Sequence, residues 1–141
     1  MSHPVAEERP AVHGDALNLV RAAIAEAAGP DAAAQRVVDL LHDRFPAYDW
    51  VGVYWVDGGD LVLGPWTGPE ATEHTRIPIG TGICGAAAAS GETEIVVPIF
   101  DGGGVIGEID IDGSDAHAFD ATDARFLEEI AALLAPLRPR T

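Results

Sequence analysis

Three acidic residues, Glu108, Asp110 and Asp112, alternate with the apolar residues Ile109 and Ile111. This period of two predicts a β-strand that has the acids on one face and the apolar residues on the other. Because the apolar face must pack against the helices, we expect the three carboxyl groups on the opposite side of a sheet. Carboxylates held this close together repel one another, which raises the pKa of at least one of them unless a cation enters.

Aromatic residues with the same alternation occur earlier, where Trp50 and Tyr54 share one face of a second predicted strand. Glu94 begins a third predicted strand. An acidic pocket with aromatic walls suits a cationic amine, through charge pairing and cation–π contact. The alternative is that these acids end their strands and meet water. The Asp-x-Asp spacing also occurs in metal sites, but no clustered histidine or third ligand accompanies it, so we expect no metal.

The single cysteine, Cys84, lies in the glycine-rich segment Gly80-Thr-Gly-Ile-Cys-Gly85. If the segment precedes a short helix, backbone N–H groups favour a reactive thiolate at Cys84. The alternative is a small buried side chain without chemistry. The same segment matches the G-x-G-x-x-G pattern of dinucleotide-binding domains, but Gly91 ends the following helix too soon for that fold, so we expect no dinucleotide cofactor.

Two helices are predicted before these strands. Asp15 is placed to cap the first, whose helical periodicity ends at Gly29, and Asp31 caps the second, which Pro46 ends. We interpret residues 1–14 as a flexible N-terminal arm, because they are polar and show no periodicity. Residues 15–141 then form a single domain, as the length of 141 residues favours.

The pattern then changes to short strands joined by turns. A final helix is predicted after these strands, because Asp120 and Asp123 are spaced as a capping box. Pro136 ends or kinks this helix. This succession predicts an α+β fold, an antiparallel sheet with helices packed on one face and a ligand pocket on the other. The remaining predicted elements are two hairpins (50–56 with 61–63, and 94–100 with 105–112), a strand at 76–79 and a short helical stretch at 86–89.

Composition excludes several classes of partner. The formal charge is −15, and all eight basic residues are arginines. Nucleic acid and anionic membranes are therefore not expected as partners, because both require a positive surface.

Hydrophobic residues make up 48%, which argues against a disordered acidic tail. One cysteine excludes an internal disulfide, and no apolar targeting or membrane segment is evident, so we expect a cytoplasmic protein.

Five sequence blocks, taken in order, resemble a GAF domain, and more closely the free methionine-(R)-sulfoxide reductase branch of GAF proteins. The resemblance spans about residues 16–138 and implies a GAF-like sheet with a small-ligand pocket, often in a homodimer. The blocks are Asp49-Trp-Val-Gly-Val-Tyr54, Leu61-Val-Leu-Gly-Pro-Trp66, Arg76-Ile-Pro-Ile-Gly-Thr-Gly-Ile-Cys-Gly85, Glu94-Ile-Val-Val-Pro-Ile99 and Val105-Ile-Gly-Glu-Ile-Asp-Ile-Asp112.

The resemblance also implies a set of ligand-binding residues. In that family the matching positions line the pocket for an amino-acid substrate, so a zwitterion such as methionine sulfoxide, or a similar amine, is the expected small-molecule ligand. Glu108 stands where the family usually has an apolar residue. The implied ligand-binding positions are Trp50, Tyr54, Glu94, Asp110 and Asp112.

One departure from the family bears on catalysis. Reductases of this branch carry a long segment, with the attacking cysteine in an H-I-x-C-D motif, between the blocks that here end at Gly85 and begin at Glu94. That segment is absent here, and Cys84 matches the family's resolving cysteine. Three hypotheses follow: a non-catalytic ligand-binding GAF module, a reductase in which Cys84 attacks and an external thiol resolves, and a dimeric structural module.

Overall fold

The computed structural model describes residues 9–72, 75–78, 88–90, 94–113 and 119–139. Helices and strands follow one another in the order expected for an α+β fold, and a short 3₁₀ turn at Ala135–Leu137 is the last described element. The elements are α1 (Arg9–Glu26), α2 (Pro30–Arg44), β1 (Trp50–Asp57), β2 (Asp60–Thr67), β3 (Arg76–Pro78), β4 (Ala88–Ser90), β5 (Glu94–Asp101), β6 (Gly104–Asp112) and α3 (Ala121–Leu134).

The sheet is antiparallel, with strand order β3-β2-β1-β6-β5-β4, so β1 and β6 form its centre. Their helix-facing side chains, among them Val51, Val53, Ile109 and Ile111, are fully buried in the hydrophobic core. Helices α2 and α3 pack against the sheet, and α1 packs against both of these helices. The predicted fold class is confirmed: the helices cover one face, and the alternate side chains of β1 and β6 project from the other.

Helix α1 begins at Arg9, so the prediction of a flexible arm over residues 1–14 is wrong for residues 9–14, and Asp15 is not an N-cap. The physical reason is a long-range contact. His13 is buried, and its ring stacks on Phe126 of α3 at a centroid distance of 4.2 Å. This tertiary packing keeps the first turns of α1 helical, although their sequence is polar and shows no amphipathic period. Residues 1–8 lie outside the described part of the chain.

The capping box at the start of α3 is confirmed. The Asp120 side chain accepts hydrogen bonds from the backbone N–H groups of Thr122 and Asp123, and the Asp123 side chain accepts one from the Asp120 N–H. Helix α3 ends at Leu134, just before the turn that contains Pro136, as expected for a residue that cannot continue a helix.

The short helix predicted over residues 86–89 is wrong at residues 88 and 89. Ala88–Ser90 instead form strand β4 and pair with Glu94–Val96 of β5. The alanine-rich sequence favours a helix locally, but the backbone hydrogen bonds offered by β5 override that preference. Residues 86 and 87 lie outside the described ranges. No helix in the described part of the chain is long and apolar enough to cross a bilayer.

Candidate ligand-binding site

A cavity of about 420 Å³ lies on the side of the sheet that the helices leave uncovered. We call it the acidic cavity. All five residues that the sequence predicted as ligand-binding positions line it, together with residues from the chain between β2 and β3. Its lining residues are Asp49, Trp50, Tyr54, Pro69, Glu70, Ala71, Thr72, Ile77, Glu94, Asp110 and Asp112.

Strand register places the predicted residues side by side. Asp112 of β6 pairs with Trp50 of β1 on one side and with Glu94 of β5 on the other. One row therefore crosses three strands. Gly52 pairs with Asp110 two positions along each strand, and Tyr54 pairs with Glu108 four positions along. Because paired side chains lie about 5 Å apart and alternate side chains share a face, these residues form a continuous floor.

The ring of Trp50 packs directly against two glycines, Gly52 and Gly68. A Cβ atom added at Gly52 would collide with the far edge of the Trp50 ring, and one added at Gly68 would lie 2.5 Å from its Cδ1. Trp66 stacks alongside, with ring centroids 6.1 Å apart and an interplanar angle of 15°. The indole Nε1 is buried and has no hydrogen-bond partner among the described residues. This leaves an N–H donor available to a ligand.

Two neighbouring carboxyl groups have incomplete hydrogen bonding: Asp110, which lines the cavity, and Glu108, which lies beside it. Glu108 is only 2% exposed, and one oxygen of Glu108 and one of Asp110 are buried without a partner in the described part of the structure. Burial, a hydrogen bond with Glu108 and the charges of the neighbouring carboxylates raise the pKa of Asp110 to about 10. Asp110 therefore keeps its proton at neutral pH while the cavity holds no cation.

The pKa values of two further groups of the floor, Glu94 and Tyr54, are raised as well. Burial, followed by the hydrogen bond and charge of Asp112, raises the pKa of Glu94. Burial and the charges of Asp110 and Glu108 raise the pKa of Tyr54 to about 12, although its hydrogen bond with Thr72 opposes this. Tyr54 is 4% exposed and remains a neutral phenol. The floor thus disfavours negative charge and favours a positively charged guest.

The wall formed by Pro69, Glu70, Ala71 and Thr72 was not predicted from the sequence, because this segment has no periodicity from which a facing side can be assigned. Cys84 and its glycine-rich segment lie outside the described residues. Within the described ranges, no group of three or more histidine, cysteine or acidic side chains is arranged to hold a metal ion.

The arrangement presents two complementary sets of groups. Carboxyl oxygens of the floor accept hydrogen bonds and attract positive charge, whereas the indole N–H donates. A ligand that has an ammonium group and an oxygen acceptor a few ångströms apart satisfies both sets, because buried polar atoms left without partners are energetically costly.

Comparison with known proteins identifies the family. No protein-family model matches the sequence. GAF domain-containing protein A of Dictyostelium discoideum is 35% identical over 120 residues, which cover 70% of this chain and 74% of the relative. A free methionine-R-sulfoxide reductase from Neisseria meningitidis, solved in complex with its substrate, superposes with a TM-score of 0.82 at 30% identity and covers 97% of this chain and 93% of that chain. The chain belongs to the GAF family, in close relationship to these reductases.

A second solved structure is similar to this GAF domain. The type II free methionine-R-sulfoxide reductase of Thermoplasma acidophilum is 35% identical and has a TM-score of 0.69. The match covers 77% of this GAF domain and 90% of the Thermoplasma chain.

Proposed function

We propose that this GAF domain binds a small amino-acid-like ligand, free methionine sulfoxide or a similar amine, in the acidic cavity. The observation that carries the proposal is the position of Trp50, Tyr54, Glu94, Asp110 and Asp112 around one cavity of about 420 Å³. This volume falls within the range of small-molecule sites. The substrate complex of the Neisseria reductase supports a ligand of this class.

The proposed binding mode follows from the unsatisfied atoms. The ligand's ammonium group lies against the carboxyl groups of Asp110 and Asp112, where charge and hydrogen bonding act together. The Trp50 N–H donates to an oxygen of the ligand, either the sulfoxide or the carboxylate oxygen. The faces of Trp50 and Tyr54 contact the ammonium and the adjacent carbon atoms.

Calorimetric titration tests this proposal. Methionine, both sulfoxide epimers and cyclic nucleotides are titrated, with N-acetylmethionine sulfoxide as a matched ligand that lacks the ammonium charge. We expect binding of an amino acid and at least a tenfold weaker binding of its N-acetyl form, about 1.4 kcal/mol. Asp112→Asn should weaken binding, and Asp60→Asn, outside the cavity, should not. Failure of every amine to bind contradicts the proposal.

A second candidate function is thiol-dependent reduction of free methionine-(R)-sulfoxide. The specific observation that favours it is the similarity to the Thermoplasma protein, which is called a free methionine-R-sulfoxide reductase and is 35% identical. In this reaction the Cys84 thiolate attacks the sulfoxide, which leaves as methionine after protonation of its oxygen, and Cys84 becomes a sulfenic acid. Two equivalents of an external thiol then return Cys84 to the thiol and yield a disulfide and water.

A gap in the alignment favours the non-catalytic alternative. The match to the Dictyostelium protein runs over 120 positions but occupies only 70% of the 141 residues of this chain, so the relative carries residues that this chain lacks. A chain with fewer residues than its relative is compatible with the proposed non-catalytic module.

Single-turnover and steady-state assays separate the two candidates. Loss of free methionine-(R)-sulfoxide is measured with a thiol reductant for the wild type and for Cys84→Ser. Turnover that disappears in Cys84→Ser establishes the reductase, whereas equal rates in the two proteins exclude Cys84 as the nucleophile. Binding without turnover in the wild type establishes a ligand-binding module.

The predicted homodimer, with its alternative role as a structural module, is tested by sedimentation at several protein concentrations. A mass twice that of the chain supports the dimer. Ligand-independent assembly together with an acidic cavity that binds none of the tested ligands favours the structural module over both other functions.

A further inference from the structure

Glu108 lies next to the acidic cavity but does not line it. It is almost fully buried, it pairs with Tyr54 across the β1–β6 ladder, and it shares a face with Asp110 two positions along the same strand. One buried oxygen of each carboxyl has no partner in the described part of the structure. Glu108 is therefore a second carboxyl group behind the one that meets the ligand.

Two adjacent buried carboxylates require a positive charge or a proton. Among the residues that the structure describes, no arginine lines the cavity. The sequence contains no lysine. Arg76, the basic residue on β3 beside the cavity wall, instead binds Asp57 at 3.2 Å and Asp60 at 2.8 Å. Because an uncompensated buried charge costs several kcal/mol, the pair cannot lose both protons while the cavity is empty.

We propose that Glu108 and Asp110 share a single proton in the empty domain, and that the ammonium group of the ligand replaces this proton. The pair then changes from a charge of −1 to −2 as the ligand brings +1, and one proton passes to the solvent. The ammonium charge offsets the charge that the pair gains, and the ligand's own carboxylate stays outside this exchange. Glu108 is thus a positioning residue, acting through Asp110 to select ligands that carry a positive charge.

Other titratable groups also face this pair. Tyr54 faces it from β1, Glu94 from β5, and Asp112 lies further along β6, while Asp49 and Glu70 belong to the cavity wall. Tyr54 stays protonated throughout the neutral range. The pKa of Glu94 is raised by burial and by Asp112, so Glu94 is a second place where a proton can be held. A variant at Glu108 is therefore needed to assign the released proton.

The first measurement needs no ligand. The carboxyl carbon of Asp110 is followed by NMR through a pH titration of the wild type, Glu108→Gln and the exposed control Glu128→Gln. We expect Asp110 to hold its proton at neutral pH in the wild type and in Glu128→Gln, and to lose it at lower pH in Glu108→Gln. Titration of wild-type Asp110 in the ordinary range of an aspartate overturns the inference, and this arm is decisive even if Glu108→Gln does not fold.

The second measurement uses the ligand and rests on the proposed function. Titration with methionine sulfoxide in buffers of different ionisation enthalpy gives the number of protons released. We expect about one proton per ligand for the wild type, and an affinity that rises about tenfold per pH unit between about pH 6 and 8, with a much smaller dependence in Glu108→Gln. Binding without proton release overturns the inference and leaves the proposed function intact. Absence of binding by every amine overturns the proposed function, and the NMR titration still decides whether the proton is shared.

Discussion

The ring of Trp50 occupies the space that a side chain at Gly52 would require, and both residues belong to β1. The two positions face the same side of the sheet, so the absence of a side chain at one fixes where the aromatic ring of the other lies. The ring in turn forms one wall of the acidic cavity.

Gly52→Ala should therefore weaken ligand binding without unfolding the sheet. The added methyl group displaces the Trp50 ring and its N–H, and the loss of an aromatic and hydrogen-bonding contact of about 1–2 kcal/mol corresponds to roughly a tenfold or larger decrease in affinity. Calorimetry measures the change. Gly59→Ala is the matched control, because an added Cβ there meets nothing within 4 Å. Unchanged affinity in Gly52→Ala contradicts this account of the wall.

Stability should fall as the pH rises through the neutral range. The pKa of Asp110 is higher in the folded protein than in the unfolded chain, where an aspartate ionises near pH 4. Between these two values the folded state binds the extra proton, so its advantage is complete at low pH and is lost as the pH rises. Urea unfolding between about pH 5 and pH 8 measures this slope.

Asp110→Asn provides the comparison for that slope. The amide cannot ionise, so the decline of stability with pH should be shallower than in the wild type, while the repulsion from the overall charge of −15 remains in both proteins. Ligand binding should be lost in the same variant. Equal slopes in the two proteins would show that Asp110 does not retain its proton.

Tyr48→Phe should destabilise the fold and leave the cavity unaffected. The Tyr48 hydroxyl donates a 2.7 Å hydrogen bond to Asp123, which is buried, and His13 Nε2 lies 3.6 Å from the same oxygen. Burial alone would raise the pKa of Asp123, but its contacts with His13, Tyr48 and Asp120 lower it. Removing a hydrogen bond to a charged group costs about 1.5–3 kcal/mol.

The contacts of the ionised Asp123 stabilise the fold fully above the ordinary pKa of an aspartate. This stabilisation is lost as the pH falls through the lowered pKa of Asp123. The destabilisation by Tyr48→Phe should therefore be larger at neutral pH than in acid. Combining Tyr48→Phe with Asp123→Asn in a double-mutant cycle isolates the pair. A change in ligand affinity in Tyr48→Phe would contradict the separation of this contact from the cavity.

Gly14→Ala should stabilise the protein by about 0.5–1 kcal/mol, because Gly14 lies inside α1 and an added Cβ meets nothing within 4 Å. Gly58→Ala is the contrasting variant. Its surroundings are also open, but its φ of +62° is strained for a residue with a side chain, so we expect a loss of stability. Thermal unfolding measures both. A gain in Gly58→Ala would contradict the argument from backbone conformation.

The floor of the cavity could be predicted from the sequence because alternation in a strand assigns each side chain to a face. Residues such as Asp110 and Tyr54 were placed correctly on the uncovered face by counting alone. Which of these residues bind a ligand stays a prediction. Contacts between distant segments could not be predicted from this alternation. The contact of His13 with Phe126 extends α1 towards the N-terminus. Pairing with β5 makes Ala88–Ser90 a strand. In both cases tertiary contacts override the local preference of the sequence.

The central pairing of β1 with β6 joins Trp50 to Asp112 and Tyr54 to Glu108, residues more than fifty positions apart in the chain. Closing such a large loop is slow compared with forming a local hairpin. During synthesis, the first hairpin can form early, but the floor of the cavity cannot assemble before β6 has left the ribosome. Ligand binding is therefore a property that a nascent chain acquires late, and only together with its central sheet.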